Sequence, residues 1–454
     1  MNHSNRRILL YSSALLIVAA ILALGYFFGP DTAIDRSGER ALQQQFNEKL
    51  EEKNVSFNKT IASFDDCLEI QTTYTGETCE YSEKTGFAQC ASGFSKNFLS
   101  EPICTKYSVS HMRTPESVKA IYISSFAAGS PSFRDKLFAL VDETELNTVM
   151  IDIKEVDGAV SSSEFEGIDP KMKIENRIPN LKEMLQNLYD KGVYTIGRIV
   201  VFKDAHMVEQ YPEYGVRKLN NKDVIWTDYG GKKYIDPGAE GYWDYIVGLA
   251  DRAYAIGFDE INLDYIRFPS DGDMKNDWYP HSQDQIDADP KLGRSNVLTS
   301  FNTYFHEKLR SKYPDVVTSA DVFGMVATNK DDLTIGQLLE PYLKQYDYVA
   351  PMVYPSHYPV GFNNLSGHPD NHPYEVVKYS METAYNRAAV LGPEYPEKLR
   401  TWVQDFTCTW CKGYFPYRAA EVREQIQATY DAGLDSWMLW DAGNTYTRGA
   451  LLEN

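Results

Sequence analysis

Along GFDEINLDYIRFPSDG (257–272), Ile261, Leu263 and Tyr265 alternate with Asn262, Asp264 and Ile266, the period of a short buried strand. It ends in an acid, an aromatic, an arginine and a proline, where polar groups crowd as the strand runs out. Seven further segments repeat this design: KAIYISSF (119–126), NTVMIDIKEVDG (147–158), VYTIGRIVVFKD (193–204), VVTSADVFG (316–324), DYVAPMVYPSHY (347–358), LRTWVQDF (399–406) and SWMLWDAGN (436–444). Between them lie helix-like stretches at 132–145, 178–191, 240–256, 296–313 and 419–432. Several close on a glycine turn, at Gly192, Gly257 and Gly433, as helix C-termini do. Eight strands alternating with helices predict an α/β fold, a closed (β/α)8 TIM barrel with its chemistry at the carboxyl ends of the strands. A doubly wound sheet is the alternative, but no glycine-rich phosphate loop follows the first strand.

The chain ahead of the barrel divides into three parts. Arg6 and Arg7 precede an apolar, charge-free run at 8–28, long enough to cross a bilayer as a helix. Residues 1–30 are therefore expected to form a cytoplasmic tip and single-pass transmembrane anchor, with the positive flank inside and all that follows extracytoplasmic. A cleaved signal peptide is the alternative, and it exports the same region. Residues 31–63 form a polar stalk. Residues 64–110 hold Cys67, Cys79, Cys90 and Cys104, expected as two disulfides stapling a small segment, with three connectivities open. The spacings lack the tight Cys-x-x-Cys pairs of a zinc knuckle. Cys408 and Cys411 do form one such pair after the seventh strand. Without a thioredoxin-like helix start, it reads as a local structural disulfide rather than a redox or metal motif.

Composition narrows the partners. Acidic side chains number 64 against 45 basic ones, for a net charge of −19, which repels nucleic-acid phosphates. Aromatics make up 13% of the chain, with 32 Tyr and 7 Trp. Such flat faces can stack on sugar CH faces while their polar atoms hydrogen-bond. Trp226, Trp278 and Trp410 fall in loops after strands three, four and seven, where burial is less automatic than for Trp243 on a helix. The eight His are scattered, and the acids of DGDMKND (271–277) lack the terminal Glu of a calcium loop. No metal site or cofactor is expected, and the oligomeric state is open.

The segment 117–451 resembles a bacterial family of glycoside-hydrolase-like (β/α)8 barrels, distantly similar to the α-amylase-type enzymes. The resemblance rests on IDIKEVDG, GRIVVFKD, YIDPG, GFDEINLDYIRFPSDG, SADVFG, IGQ, APMVYPSHY, WVQDF and GLDSWMLWDAGNTY. It implies a glycosidase with a nucleophile at the end of strand four and an acid/base at the end of strand five. The matching positions are Asp264 and Asp321. Arg267, three residues after Asp264, is the expected counter-ion holding it ionised. Apolar Val322 and Phe323 beside Asp321 are expected to raise its pKa and keep it protonated. An Asp on strand five departs from the Glu of the amylase pattern and reaches less far.

Position alone nominates the substrate contacts: Asp152, Lys154, Arg198, Lys203 and Asp204 on strands two and three, Arg267 after strand four, and Tyr354 and His357 after strand six. Gln404 and Asp405 close strand seven, with Asp405 slightly favoured as the inward group. Trp440 and Asp441 close strand eight. Asp259 and Glu260 precede their strand at its bottom end and are assigned to structure. Long inserts at 204–235 and 269–292 are expected to build the cleft walls. The function expected is a membrane-anchored, extracytoplasmic glycosidase acting by two carboxylates on a cell-surface or exported polysaccharide. The competing reading is a barrel that binds envelope glycans as an anchoring or scaffold module without cleaving them.

Overall fold

A computed structural model describes residues 109–454 throughout, preceded by the backbone of four short strands, Cys79–Ser82, Phe87–Cys90, Phe94–Asn97 and Ile103–Lys106. The chain divides into two units, Met1–Lys59 and Thr60–Asn454, and the first lies wholly outside the described residues. The expected anchor, the stalk and Cys67 therefore fall outside them too. Among the described residues no helix is long and apolar enough to cross a membrane. The four short strands pair as two antiparallel hairpins, with Cys79 opposite Cys90 and Cys104 opposite Lys96.

Eight parallel strands follow: β1 (Lys119–Ile123), β2 (Thr148–Lys154), β3 (Tyr194–Val200), β4 (Glu260–Asp264), β5 (Val317–Phe323), β6 (Tyr348–Met352), β7 (Thr401–Gln404) and β8 (Trp437–Trp440). Each pairs with the next, and β8 returns to β1 with Met438 opposite Ala120. The expected closed barrel is thus the observed one. Seven helices cover it: α1 (Pro131–Glu143), α2 (Leu181–Lys191), α3 (Glu240–Ile256), α4 (Gly293–Lys312), α5 (Leu339–Gln345), α6 (Pro373–Leu391) and α7 (Ala419–Asp431). Gly192 and Gly257 cap α2 and α3 in the left-handed conformation, φ 84° and 120°, which costs a residue without Cβ little.

Alternation along the strands sorts the core into two layers. Val118, Ala120, Met150, Ile196, Ala350, Trp402 and Met438 fill the barrel, while Ile121, Ile151, Leu263, Val322, Val403 and Leu439 pack outward against the helices. The floor is polar and held by an ion pair and hydrogen bonds between strands. Arg400 donates to both carboxylate oxygens of Glu260 at 2.7 and 2.9 Å, and Tyr194 donates to Glu260 at 3.0 Å. Asp259 accepts from the Thr195 amide and hydroxyl, each at 2.9 Å. Both acids are structural, as their place at the amino-terminal end of β4 implies.

Where β8 meets β1, the Trp437 amide donates to Val118 and the Val118 amide to the Ser436 hydroxyl. Asn444 accepts from the Ser124 hydroxyl at 2.7 Å and donates to the Tyr122 carbonyl. This seam joins segments more than 300 residues apart, the Val118–Ser436 bond spanning 318. The two long inserts meet in one small antiparallel sheet in which Arg217–Lys218 pairs with both Asn221–Ile225 and Asp277–Trp278. Trp226, in a loop where burial is less automatic than on a helix, is buried with its Nε1 donating to the Asp273 carbonyl at 3.0 Å.

Candidate active site

The inward positions at the carboxyl ends of β2, β3, β4 and β5 bring Asp152, Arg198, Asp264 and Asp321 together. Asp152 stands opposite Arg198 in the β2–β3 register, and Arg198 opposite Asn262, one inward step below Asp264. The Arg198 guanidinium joins two carboxylates. Its Nη1 donates to Asp152 Oδ1 at 2.5 Å, and its Nε and Nη2 donate to Asp264 Oδ2 at 3.2 and 2.6 Å. These are charge-assisted bonds in a site where Arg198 is only 3% exposed, the setting in which they are strongest. Asp264 Oδ1 accepts the Tyr265 amide at 2.6 Å. Tyr265 takes a left-handed φ of 54°, strain of about 1–3 kcal/mol for a residue with a side chain.

Arg198, not Arg267, is the counter-ion of Asp264. The Arg267 guanidinium lies over the Tyr265 and Phe323 rings at 4.7 and 4.5 Å and donates to the Phe268 carbonyl. It makes no ion pair among the described residues.

Asp321 is held differently. Asn262 Nδ2 and Trp402 Nε1 donate to its Oδ1 at 3.1 and 2.8 Å. Burial and the neighbouring Asp264 charge push its pKa up to about 8, against the pull of the Trp402 bond and of Arg198. The acid is therefore protonated at neutral pH. The direction expected from sequence holds, though its cause is enclosure by the barrel and a like charge, not the two residues that follow it. Asp152 rises to about 7 for the same first reason, burial, with Arg198 opposing. Tyr122 donates to its Oδ2 at 2.5 Å.

Aromatic side chains wall one flank. Trp440 stacks on Tyr122 with centroids 4.2 Å apart and faces Tyr354 at 6.5 Å. The Tyr354 hydroxyl is buried and lacks a protein partner. His357 is exposed beside it, its Nδ1 2.9 Å from the Ser356 hydroxyl. Lys203 lies 3.3 Å from Asp228 and borders the Tyr234 and Tyr265 rings.

Other nominated residues lie away from this cluster. Lys154 and Asp204 do not line the pocket: both are fully buried and paired at 2.9 Å. The β2 register slips between Asp152 and Lys154, setting Lys154 opposite Ile199 on the outer face. There it also donates to the Val200 carbonyl, while Asp204 caps the helix Ala205–Gln210. Asp405, favoured as the inward group, lies past the end of β7 and accepts the Thr447 amide and hydroxyl at 2.8 and 2.6 Å. Gln404 takes the inward register but spends its amide on Asp370, the Ser356 amide and the Phe406 carbonyl. Asp441 turns back to accept the Thr445 amide at 2.7 Å. Cys408 and Cys411 form the expected local disulfide. Tyr122, Asn262 and Trp402, which orient the acids, were not singled out from sequence. Their signal was inward parity one step below the strand ends.

A parallel eight-stranded barrel with carboxylates gathered at the ends of several strands belongs to the large class of barrel enzymes. Residues 120–446 match the family described as "Putative glycosyl hydrolase domain"; the chain belongs to this family and is, at that level, a glycosidase. The PgaB (BpsB) glycoside hydrolase domain from Bordetella bronchiseptica shares the fold, at 15% identity and a TM-score of 0.52 over 72% of this chain and 95% of that one. A hypothetical protein from Ruminiclostridium thermocellum ATCC 27405 is 29% identical over 44% of this chain and 97% of its own, with a TM-score of 0.38. No curated protein matches the chain.

Proposed function

We propose that the barrel hydrolyses a cell-surface or exported polysaccharide by a two-carboxylate mechanism, with Asp264 as nucleophile and Asp321 as acid/base. The observation that carries this is the division of labour between two acids in one pocket. Arg198 gives Asp264 two hydrogen bonds and the Tyr265 amide a third, whereas Asp321 is raised to about 8 and so holds a proton. A carboxylate bonded to a cation beside a second carboxyl raised to hold a proton is the pairing glycosidic cleavage needs. Asp264 attacks the anomeric carbon while Asp321 gives its proton to the departing glycosidic oxygen. The glycosyl ester removes the Asp264 charge, one of the forces raising Asp321. Asp321, now ionised, then takes a proton from the water that hydrolyses the ester, and the returning Asp264 charge restores its own basicity. The sugar would contact Tyr354, His357, Trp440 and Lys203.

Location belongs to the same reading. The charge-free run at 8–28 with its basic flank supports a single-pass anchor and an extracytoplasmic barrel, with the disulfide-stapled segment at 64–110 between them. The Cys408–Cys411 disulfide supports an oxidising compartment.

Asp264→Asn in the full chain tests the chemistry. It should abolish the release of reducing ends from a glycan panel while leaving folding and glycan binding in place. Full activity in that variant would remove Asp264 as nucleophile. Binding by the wild type with no released ends would instead favour the scaffold reading.

A further inference from the structure

We propose that the loop after β7 carries an outer subsite for an extended glycan chain, with Trp410 as its platform and the Cys408–Cys411 disulfide as its brace. The proposal rests on the glycosidase reading above and adds a preference for long chains. An aromatic path leads from the acid to solvent. Trp402, whose indole nitrogen is bonded to Asp321, meets Trp440 edge-on with centroids 5.7 Å apart. Trp440 faces Tyr354 at 6.5 Å, Tyr354 meets Phe406 at 5.9 Å, and Phe406 lies parallel to Trp410, 6.0 Å away with planes 3° apart.

Exposure rises sharply along this path. Tyr354 is 7% exposed and Trp410 74%, with Tyr414 and Phe415 at 47% and 39% in the same loop. Large aromatics left in water together mark a binding surface rather than a stray apolar residue.

The loop is also fixed in place, so binding need not order it. The disulfide closes a three-residue separation. The Phe415 amide donates to Asp370 Oδ2 at 2.9 Å, and the Tyr417 amide to the Thr407 hydroxyl at 3.0 Å. Flat rings alternating with polar edges (the unpartnered Tyr354 hydroxyl, His357) suit a ligand with apolar faces and a hydroxylated rim. Continuity with the carboxylate pair identifies that ligand as the outlying part of the chain being cleaved. Trp402 and Trp440 serve the pocket itself; Trp410 reads chain length.

The test uses the full chain and oligosaccharide ladders of two to eight units from several polysaccharides. In whichever ladder the wild type cleaves, kcat/KM should rise with length. Trp410→Ala should lower kcat/KM for the longest members by about tenfold, the effect of losing one aromatic anchor, mainly through KM, so that the advantage of long over short chains collapses. The double variant Cys408→Ser/Cys411→Ser, or reductant added to the wild type, should shift the same ratio in the same direction. An equal loss at every length, or none at the longest, would overturn the subsite. Should the wild type cleave no ladder, the hydrolase reading fails, and retardation of the protein in polysaccharide-containing gels decides the subsite by itself. Retardation lost in Trp410→Ala upholds it, and retardation kept, or absent in the wild type, overturns it.

Discussion

Arg198→Met removes the one cation shared by Asp152 and Asp264 while keeping an unbranched side chain of similar length. Arg198 is 3% exposed, Asp152 fully buried and Asp264 5% exposed, so water cannot replace the lost charge. Breaking a buried pair by removing one partner costs about 3–5 kcal/mol, and here two acids lose their partner at once. The response of Asp152 makes the loss depend on pH. Burial holds the Asp152 pKa at about 7, with Arg198 the strongest influence lowering it. The folded state therefore binds more protons than the unfolded chain between the ordinary carboxylate range and about 7, and stability falls as pH climbs through that window. Without Arg198 the folded pKa rises and the window extends upward. Each pH unit above 7 inside the extended window should widen the gap to wild type by about 1.4 kcal/mol. Urea unfolding followed by tryptophan fluorescence near pH 6 and near pH 8 reads this directly. A loss below about 1 kcal/mol, or one equal at the two pH values, would refute the shared-cation account.

Two further outcomes are expected. Activity should fall as pH rises through about 8, because Asp321 must be protonated to donate and its raised pKa sets the alkaline limb; a kcat/KM profile flat to pH 10 would remove it as the acid. Tyr354→Phe should leave unfolding free energy within about 0.5 kcal/mol of wild type, since the lost hydroxyl has no protein partner. It should nonetheless cut kcat/KM by about tenfold, the cost of losing a substrate hydrogen bond. Unchanged kinetics would place that hydroxyl outside the site.

The barrel was legible because its signal is local. Each strand writes its own alternation, and Ile121, Ile151 and Leu263 fall on the outer face their parity requires. Asp264 and Asp321 were legible for the same reason, as polar groups where an apolar run stops. Partnership was not legible, because it depends on register between strands. Arg267 is near Asp264 in sequence, yet Arg198, 66 residues away, holds it, since β3 and β4 are neighbours around the barrel. Lys154 fits an inward count of two from Asp152, but a single register slip turns it outward. Asp405 continued a plausible strand that in fact ends at Gln404. Trp402 and Asn262 orient Asp321 from one layer deeper, where a side chain reads as ordinary core until the acid above it is placed.

The β8–β1 seam bears on how the molecule is made. At about 5–20 residues per second, roughly 15–60 s separate the synthesis of Val118 from that of Ser436, the two ends of one hydrogen bond spanning 318 residues. Throughout that interval β1 lacks its β8 partner and offers an open, apolar edge to any other strand. The four pocket residues on β2 to β5 have by then been made, but Trp440, and Asn444 that clasps Ser124, arrive only afterwards. A nascent chain stalled before residue 437 would hold both proposed catalytic acids in an unclosed sheet, prone to stick to its neighbours.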